Sequence, residues 1–367
     1  MPNQSLKISN LNPNQYLYVT LVLIIFILLL LFSWIYSRLS LKTRTCDKLK
    51  IYWPTLTNTT YFLDTNRVKS SDFDSSSNRL INFQVKSAYN CCCGDSYKNN
   101  FVALCALEKC ITNGCRFLDF EIYSYNNDPI IASSTANNNY IKETYNSLLL
   151  EEVLTTITDR AFDATTTNCA SDPLILNFRV MSTNLAMLKK MGELLEEYLK
   201  NNEGAFSYET KTEEDLLFTK MDNFHKKVIV ICDFNPSPAI VDTNTELIKL
   251  KNCINLKAKG LNCNTFRYNQ IASKKGSLSF IEETKKKFTI VLPNLDNSIV
   301  NFDPELSFDM GCQAICMKHQ NIDNNLLGYN GRFKLKQNYS WIKKPNTLLN
   351  VDMEEVPNYT GTGERVV

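Results

Sequence analysis

A continuous apolar segment near the start of the chain stands apart from everything that follows. Residues 16–36 read YLYVTLVLIIFILLLLFSWIY and contain no charged side chain. At about 1.5 Å per residue, such a helix covers the ~30 Å hydrocarbon core of a bilayer. Aromatic residues lie at both edges, where their rings prefer the lipid headgroups. The pattern predicts a transmembrane helix over 16–36 after a short tail over 1–15. A signal peptide is the alternative, but the run is too long for one and no small-residue cleavage site follows it.

The remainder of the chain alternates between short apolar runs and amphipathic segments of helix length. A polar stretch over 37–80 is interpreted as a juxtamembrane linker with some docked pieces, and 351–367 as a polar tail. The alternation over 81–350 favours a parallel sheet closed into a (β/α)8 barrel, with a doubly wound open sheet as the alternative. The predicted strands are Phe83–Ala88, Phe117–Tyr123, Leu174–Val180, Val228–Cys232 and Cys312–Met317, and the clearest helices are Phe101–Asn113 and Leu185–Leu199.

Charge and cysteine content limit which cellular compartment and which binding partners are expected. Forty basic residues against 38 acidic ones give a net charge of +2, which offers no electrostatic case for nucleic-acid binding. One cation, Lys7, precedes the apolar segment, and five follow it closely. This asymmetry places the C-terminal domain in the cytosol. The odd count of 13 cysteines, without framework spacing, fits reduced thiols better than a disulfide scaffold. The five cations are Arg38, Lys42, Arg44, Lys48 and Lys50.

Five motifs in a fixed order carry a resemblance to a known enzyme family. In the first half, over 81–200, residues 114–121 read GCRFLDFE and 173–178 read PLILNF. In the second half, over 270–350, Gly311-Cys312-Gln313 begins a segment that continues to Gln320 and Asp323, and NGRF and WIKKP follow at 330–333 and 341–345. These stretches resemble the GCRxxELD, PVILSFEN, GCQMVALNFQTPD, NxGxF and GYxLKP segments of phosphoinositide-specific phospholipase C. The resemblance implies a TIM-like barrel of the phospholipase C type.

The catalytic positions implied by this resemblance lack the expected histidines. Enzymes of the family use one imidazole as general base and another as general acid, roles that suit a pKa near neutrality. The two positions fall on Ala88 and Ser133, neither of which can exchange a proton at pH 7. His225 and His319 are the only histidines in the chain. The phosphate-binding arginine of the family aligns with Ile290.

The metal site implied by the resemblance is also altered. Asp119 and Glu121 retain two carboxylates at i and i+2, which place them on one face of a strand. The glutamate that follows PVILSF in the family is Arg179 here. A guanidinium at that position should repel calcium and form an internal ion pair with the two carboxylates. We therefore expect no resident cofactor, and a residual calcium site at Asp119 and Glu121 is the alternative.

Three functional hypotheses follow. The first is a membrane-anchored, phospholipase C-like protein of the phosphoric diester hydrolase family that no longer hydrolyses its substrate and acts as a binding or structural module. The second is an active phosphodiesterase that uses Glu121 as base and Arg179 in place of the metal. The third is a membrane component of a large DNA virus, suggested by the Asn-rich, AT-rich-looking composition. The expected partners are the membrane and an anionic lipid or phosphoinositide headgroup, which lysines at 274–275 and 285–287 could contact.

Overall fold

The computed structural model describes residues 12–52, 78–136, 141–201, 207–208, 212–234, 240–334 and 340–350. The predicted tail over 351–367 and most of the tail over 1–15 lie outside these ranges, as does the later part of the predicted linker. The strands are β1 Phe83–Ala88, β2 Phe117–Tyr125, β3 Asp128–Ala132, β4 Leu148–Leu149, β5 Leu174–Val180, β6 Val228–Phe234, β7 Leu256–Lys257, β8 Cys263–Arg267, β9 Phe288–Leu292, β10 Ala314–Met317 and β11 Trp341–Lys343.

Helices precede the barrel and connect its strands. They are α1 Pro13–Leu39, α2 Leu41–Tyr52, α3 Leu104–Thr112, α4 Leu150–Arg160, α5 Leu185–Leu195, α6 Glu213–Phe218, α7 Ile240–Thr243, α8 Ile248–Cys253, α9 Tyr268–Ala272, α10 Leu278–Thr284, α11 Glu305–Asp309 and α12 Asn324–Lys334. A π-helical turn, Glu196–Lys200, extends α5.

Eight parallel strands form a nearly closed barrel. Their order is β7-β6-β5-β2-β1-β10-β9-β8, and every neighbouring pair along this path is parallel. In the described residues β7 pairs only with β6 and β8 only with β9, so the circle is open between β7 and β8. The antiparallel β3 lies along β2, and β11 lies along β1. The predicted barrel is confirmed, and the open-sheet alternative is wrong because the sheet curls back toward its own edge.

Alternation of side chains along the strands separates the polar interior from the packed exterior. In β2, Phe120 stacks on Phe178 of β5 at a ring-centroid distance of 5.7 Å. The residues that precede these two phenylalanines, Asp119 and Asn177, carry polar side chains to the opposite face. Because the strands are buried on both faces, their apolar runs read as nearly continuous in the sequence. The carboxyl ends of the parallel strands meet at one end of the barrel, the mouth.

Two helices precede the barrel. The helix α1 is exposed along its whole described length and is the candidate membrane span among the described residues, by length and composition. A signal sequence passes the same test. The first part of the predicted linker is the helix α2, which packs against α3.

A disulfide joins Cys46 of α2 to Cys105 of α3. The expectation of thirteen reduced thiols is therefore wrong for these two residues, and the other eleven cysteines are free and buried. This pair could not be predicted from the sequence, because Cys46 lies within the predicted linker and its partner is 59 residues away.

Candidate active site at the mouth of the barrel

The register of neighbouring strands places the predicted site residues side by side. Asp119 of β2 lies opposite Asn177 of β5, and Glu121 lies opposite Arg179. Residues two apart on a strand point to the same face, so all four side chains enter the barrel interior near its mouth. All four are buried, with exposed fractions of 2% or less. The structure thus brings together three residues predicted from the sequence, Asp119, Glu121 and Arg179.

The guanidinium of Arg179 lies between the two carboxylates. Its Nε donates to Asp119 Oδ1 at 2.9 Å and its Nη2 to Asp119 Oδ2 at 2.8 Å, which is a bidentate pair. Its Nη1 donates to Glu121 Oε1 at 2.8 Å. Nη2 also donates to Asn90 Oδ1 at 2.7 Å, and the ring of Tyr89 lies 4.8 Å from the guanidinium carbon. This is the internal ion pair expected from the sequence.

Further donors complete the coordination of both carboxylates. Asn177 Nδ2 and the Asn90 backbone N–H donate to Asp119 at 2.8 and 3.1 Å. Glu121 accepts from Asn90 Nδ2 at 3.2 Å, from the Tyr123 hydroxyl at 2.8 Å and from the Ser134 backbone N–H at 2.9 Å. Each of the four carboxylate oxygens therefore accepts two hydrogen bonds. We call this set the Arg179 network; it comprises Asn90, Asp119, Glu121, Tyr123, Ser134, Asn177 and Arg179.

Asn90 occupies a special backbone position within the network. It lies two residues after the end of β1 and has a φ of 43°, in the left-handed region that asparagine tolerates better than most residues. This turn allows both its backbone N–H and its side-chain amide to reach the carboxylates. The ligand asparagine of the family aligns with Tyr89 or, after a one-residue slip, with Asn90, and in the structure it is Asn90 that contacts the carboxylates and Arg179.

The network determines the protonation behaviour of its basic and phenolic members. Burial alone would lower the pKa of the Arg179 guanidinium, but Asp119, Tyr89 and Glu121 outweigh burial and raise it. Burial, with Glu121 beside it, raises the pKa of Tyr123. Both residues therefore keep their protons at any physiological pH and remain hydrogen-bond donors.

The two positions implied for histidine flank the network without proton-transfer capacity. Ala88 is completely buried at the end of β1, one residue before Tyr89. Ser133 is also completely buried, and its hydroxyl donates to the Tyr97 carbonyl at 2.9 Å. The histidines lie elsewhere. His225 is exposed, and His319 is buried beside Cys115, with Nε2 3.4 Å from its Sγ and 3.2 Å from the Ser87 carbonyl.

The side chains at this site do not fit calcium. Calcium takes six to eight oxygen ligands, and here the guanidinium of Arg179 stands where a further carboxylate would be needed. The oxygens of Asp119 and Glu121 are already used as acceptors by protein donors. Within the described residues, no group of three or more His, Cys, Asp or Glu side chains is arranged to hold a metal ion.

A cavity adjoins the network on the side of the open seam. It has a volume of about 180 Å³. The hydroxyl of Thr265 is buried without a hydrogen-bond partner in the described part of the chain. Arg267 Nη1 donates to the Tyr89 hydroxyl at 3.3 Å and to the Pro293 carbonyl at 2.9 Å. We call this space the mouth cavity; it is lined by Arg179, Met181, Asp233, Lys259, Thr265, Phe266, Arg267, Gln270 and Leu292.

Sequence reasoning missed two basic residues of the mouth cavity, Lys259 and Arg267. It assigned the phosphate-binding arginine to the position of Ile290, which is a fully buried core residue of β9. Arg267 ends the neighbouring strand β8, and Lys259 pairs with Asp233 at 2.7 Å.

Comparison with solved structures identifies the fold. Crystal structures of PLC21 from S. officinalis and from L. pealei superpose with TM-scores of 0.58 and 0.57, each at 14% sequence identity. The alignments cover 75% of this chain and 38% of those chains, so this chain spans well under half of their length. A calcium-dependent phosphoinositol-specific phospholipase C from Pseudomonas sp. aligns over 73% of this chain and 96% of its own, at 10% identity and a TM-score of 0.42.

No protein-family model and no curated protein sequence matches the chain. At these sequence identities the structural likeness shows the fold alone. The nearly closed parallel barrel and the two superpositions with TM-scores above 0.5 together lead to one conclusion: the chain has the same barrel fold as the PLC21 structures.

Proposed function

We propose that this chain is a membrane-anchored barrel of the phospholipase C type that does not hydrolyse phosphodiesters and acts as a binding or structural module. One observation carries the proposal. The carboxylates at the mouth, which the resemblance assigns to a metal site, are bound on every oxygen by protein donors, and Arg179 supplies three of those eight hydrogen bonds.

The chemistry of phosphodiester cleavage supports this proposal. An attacking hydroxyl needs a general base, and the leaving oxygen needs a general acid, each within hydrogen-bond reach. The positions implied for these groups hold the methyl of Ala88 and the hydroxyl of Ser133, which is engaged by the Tyr97 carbonyl. The buried imidazole of His319 lies against Cys115, the Ser87 carbonyl and the ring of Tyr329.

The same contacts count against the active alternative. A general base must offer a free lone pair to the proton it takes. Glu121 accepts two hydrogen bonds on each oxygen, including one from Arg179. Taking up a substrate proton would require at least one of these donors to leave, in a fully buried site where an unpaired donor costs about 1–3 kcal/mol.

Binding capacity at the mouth lies with the mouth cavity rather than with the carboxylates. Its cations, Arg267 and Lys259, and the unpartnered Thr265 hydroxyl suit a phosphate group. The volume of about 180 Å³ is below the ~300–1,000 Å³ of ordinary ligand pockets. We therefore propose a single phosphate, as on an anionic lipid headgroup, as its ligand. Binding should be weak, because Asp233 already pairs with Lys259.

Anchoring and location complete the proposal. The exposed apolar helix α1 is the anchor, and the basic residues that follow it favour a cytosolic barrel. The cytosol keeps thiols reduced, so a cytosolic barrel would favour the reduced form of Cys46 and Cys105 over the disulfide. Membership of a viral membrane stays a prediction that mass spectrometry of purified particles would test.

The decisive assay measures inositol phosphate release by the full chain from vesicles that contain phosphoinositides. We expect no release above the blank, with calcium or with a chelator, because proton transfer has no imidazole to use. The matched controls are Glu121→Gln and Asp119→Asn, which should give the same blank rate. Release by the unaltered chain that either substitution abolishes would establish the active alternative and refute the proposal.

A further inference from the structure

The thirteen cysteines of the chain fall into two groups. Eleven are free and buried, whereas Cys46 and Cys105 are half-buried and bonded to each other. Burial raises the pKa of the Cys91 and Cys93 thiols to about 12, so these neighbours of α2 stay protonated and are poor nucleophiles for disulfide exchange. The bonded pair is therefore the one placed to respond to a thiol reductant.

The disulfide fastens a helix that makes a close but small contact with the barrel. Among the described side chains of α2, only Thr45 and Leu49 are buried. Both face the loop that follows β1, where Thr45 Cγ2 lies 2.2 Å from the point at which a Cβ on Gly94 would stand. Leu49 lines a cavity of about 10 Å³ beside this loop, which is room for a single water. Two buried side chains offer little apolar area to hold α2 in place.

The charge of α2 suits it to a second binding surface, the anionic lipid of the membrane. Four cations and one acidic residue occupy the helix, and all of them are exposed or half-buried. Such a basic segment next to a membrane span is attracted to anionic lipid. The same cations favour the thiolate that forms when the disulfide opens. The charged residues are Lys42, Arg44, Asp47, Lys48 and Lys50.

The position of the disulfide determines how long the tether to α1 is. The helix α1 ends at Leu39, so seven residues lead from it to Cys46. Without the disulfide, the next described part of the barrel is Asn78, 39 residues from Leu39. Opening the bond therefore removes the covalent link between the barrel and the helix that follows α1.

We propose that the disulfide between Cys46 and Cys105 is a redox-controlled fastener that holds α2 against the barrel next to the membrane span, and that its reduction releases α2. The inference rests on the proposed anchoring by α1. In the reduction, the thiolate of an external dithiol attacks one sulfur and releases the other cysteine, and the second thiol of the dithiol then attacks the mixed disulfide and releases the first cysteine. The cysteines gain two electrons and two protons, and the dithiol becomes a disulfide.

The test uses the full chain in phosphatidylcholine vesicles and measures hydrogen–deuterium exchange over 41–52 before and after treatment with dithiothreitol. We expect exchange in this segment to become at least about tenfold faster on reduction, with no change in β5. The control is Cys46→Ser combined with Cys105→Ser, which should exchange fast under both conditions. Equal exchange before and after reduction, or a dithiothreitol effect that persists in the double variant, would overturn the proposal.

Thiol counting supplies an independent readout. Alkylation of the denatured, unreduced chain should label eleven cysteines, and alkylation after reduction thirteen. If thirteen cysteines were labelled without reduction, the proposed disulfide fastener would be refuted. Co-flotation of the chain with the vesicles reports on the anchor, so a failure of the proposed anchoring is distinguishable from a failure of the fastener.

Discussion

The Arg179 network and the mouth cavity share one arginine but differ in how their polar groups are used. In the network, eight donors meet four carboxylate oxygens, and the charged atoms are fully buried. In the cavity, Thr265 has an unpartnered hydroxyl within the described residues, and Lys259 is 55% exposed. The difference supports the proposal that the positions implied for chemistry serve structure, whereas ligand binding depends mainly on side chains outside the family motifs.

The largest expected effect is on stability. Arg179→Ala would leave Asp119 and Glu121 as uncompensated buried charges, and breaking such a pair costs about 3–5 kcal/mol. Denaturant unfolding of the purified chain measures the loss. The matched control is Arg160→Ala, since Arg160 pairs with Glu108 at 3.2 Å on the surface, where an ion pair contributes about 0–1 kcal/mol. Equal losses for the two variants would show that the network is not structural.

Restoring a carboxylate at position 179 should recreate a calcium site. Arg179→Glu would remove the guanidinium and place a third carboxylate beside Asp119 and Glu121, with amide oxygens of Asn90 and Asn177 nearby. The variant should be unstable in chelator and regain about 2.7 kcal/mol at calcium concentrations of 100 times its Kd. Thermal melting with and without calcium measures this shift. The unaltered chain and Arg179→Gln should show no shift, and a calcium shift in either would contradict the account.

A smaller effect is expected at the edge of the network. Tyr123→Phe removes one of the four donors to Glu121 and should cost about 2 kcal/mol, because the bond is buried and its acceptor is charged. Tyr125→Phe, on the same strand, alters a side chain in a residue that is 62% exposed and should cost close to nothing. Unfolding free energies of the two variants make the comparison. If Tyr123→Phe were as harmless as Tyr125→Phe, the hydroxyl would not be part of the network.

The smallest effect concerns the mouth cavity. Arg267→Ala should weaken the binding of inorganic phosphate about tenfold, or ~1.4 kcal/mol, because one charge-assisted hydrogen-bonding group is lost. Calorimetric titration measures this binding. Lys286→Ala removes an exposed cation that does not line the cavity and should leave the affinity unchanged. Equal weakening in both variants would indicate a non-specific charge effect rather than a site.

The hydrophobic pattern of the sequence was sufficient to predict the bounds of several strands and helices. The strands Phe83–Ala88 and Leu174–Val180 have the predicted bounds, and the helix predicted over Phe101–Asn113 is observed at Leu104–Thr112. The ion pair was also predictable. Two carboxylates at i and i+2 lie on the strand of one motif, and an arginine lies on the strand of the next motif of the same family. The strand Cys263–Arg267 was missed because it is short and half-buried, with little apolar periodicity.

What the sequence could not supply depends on tertiary placement. The donors Asn90, Tyr123 and Ser134 come from a turn, a strand and a loop that no local pattern links. The disulfide partner of Cys46 and the contribution of Arg267 to the mouth depend on how the barrel closes. Long-range contacts of this kind are determined by packing rather than by propensity.

The most direct test of the central claim observes the guanidinium of Arg179 itself. Nitrogen-15 NMR of the arginine-labelled chain, with Arg179→Lys for assignment, reports whether its N–H protons are held between the carboxylates. The account predicts slowly exchanging Nε–H and Nη–H signals that stay unchanged when millimolar calcium is added. Fast-exchanging protons, or signals that shift on calcium addition and lose this response in Asp119→Asn, would contradict it.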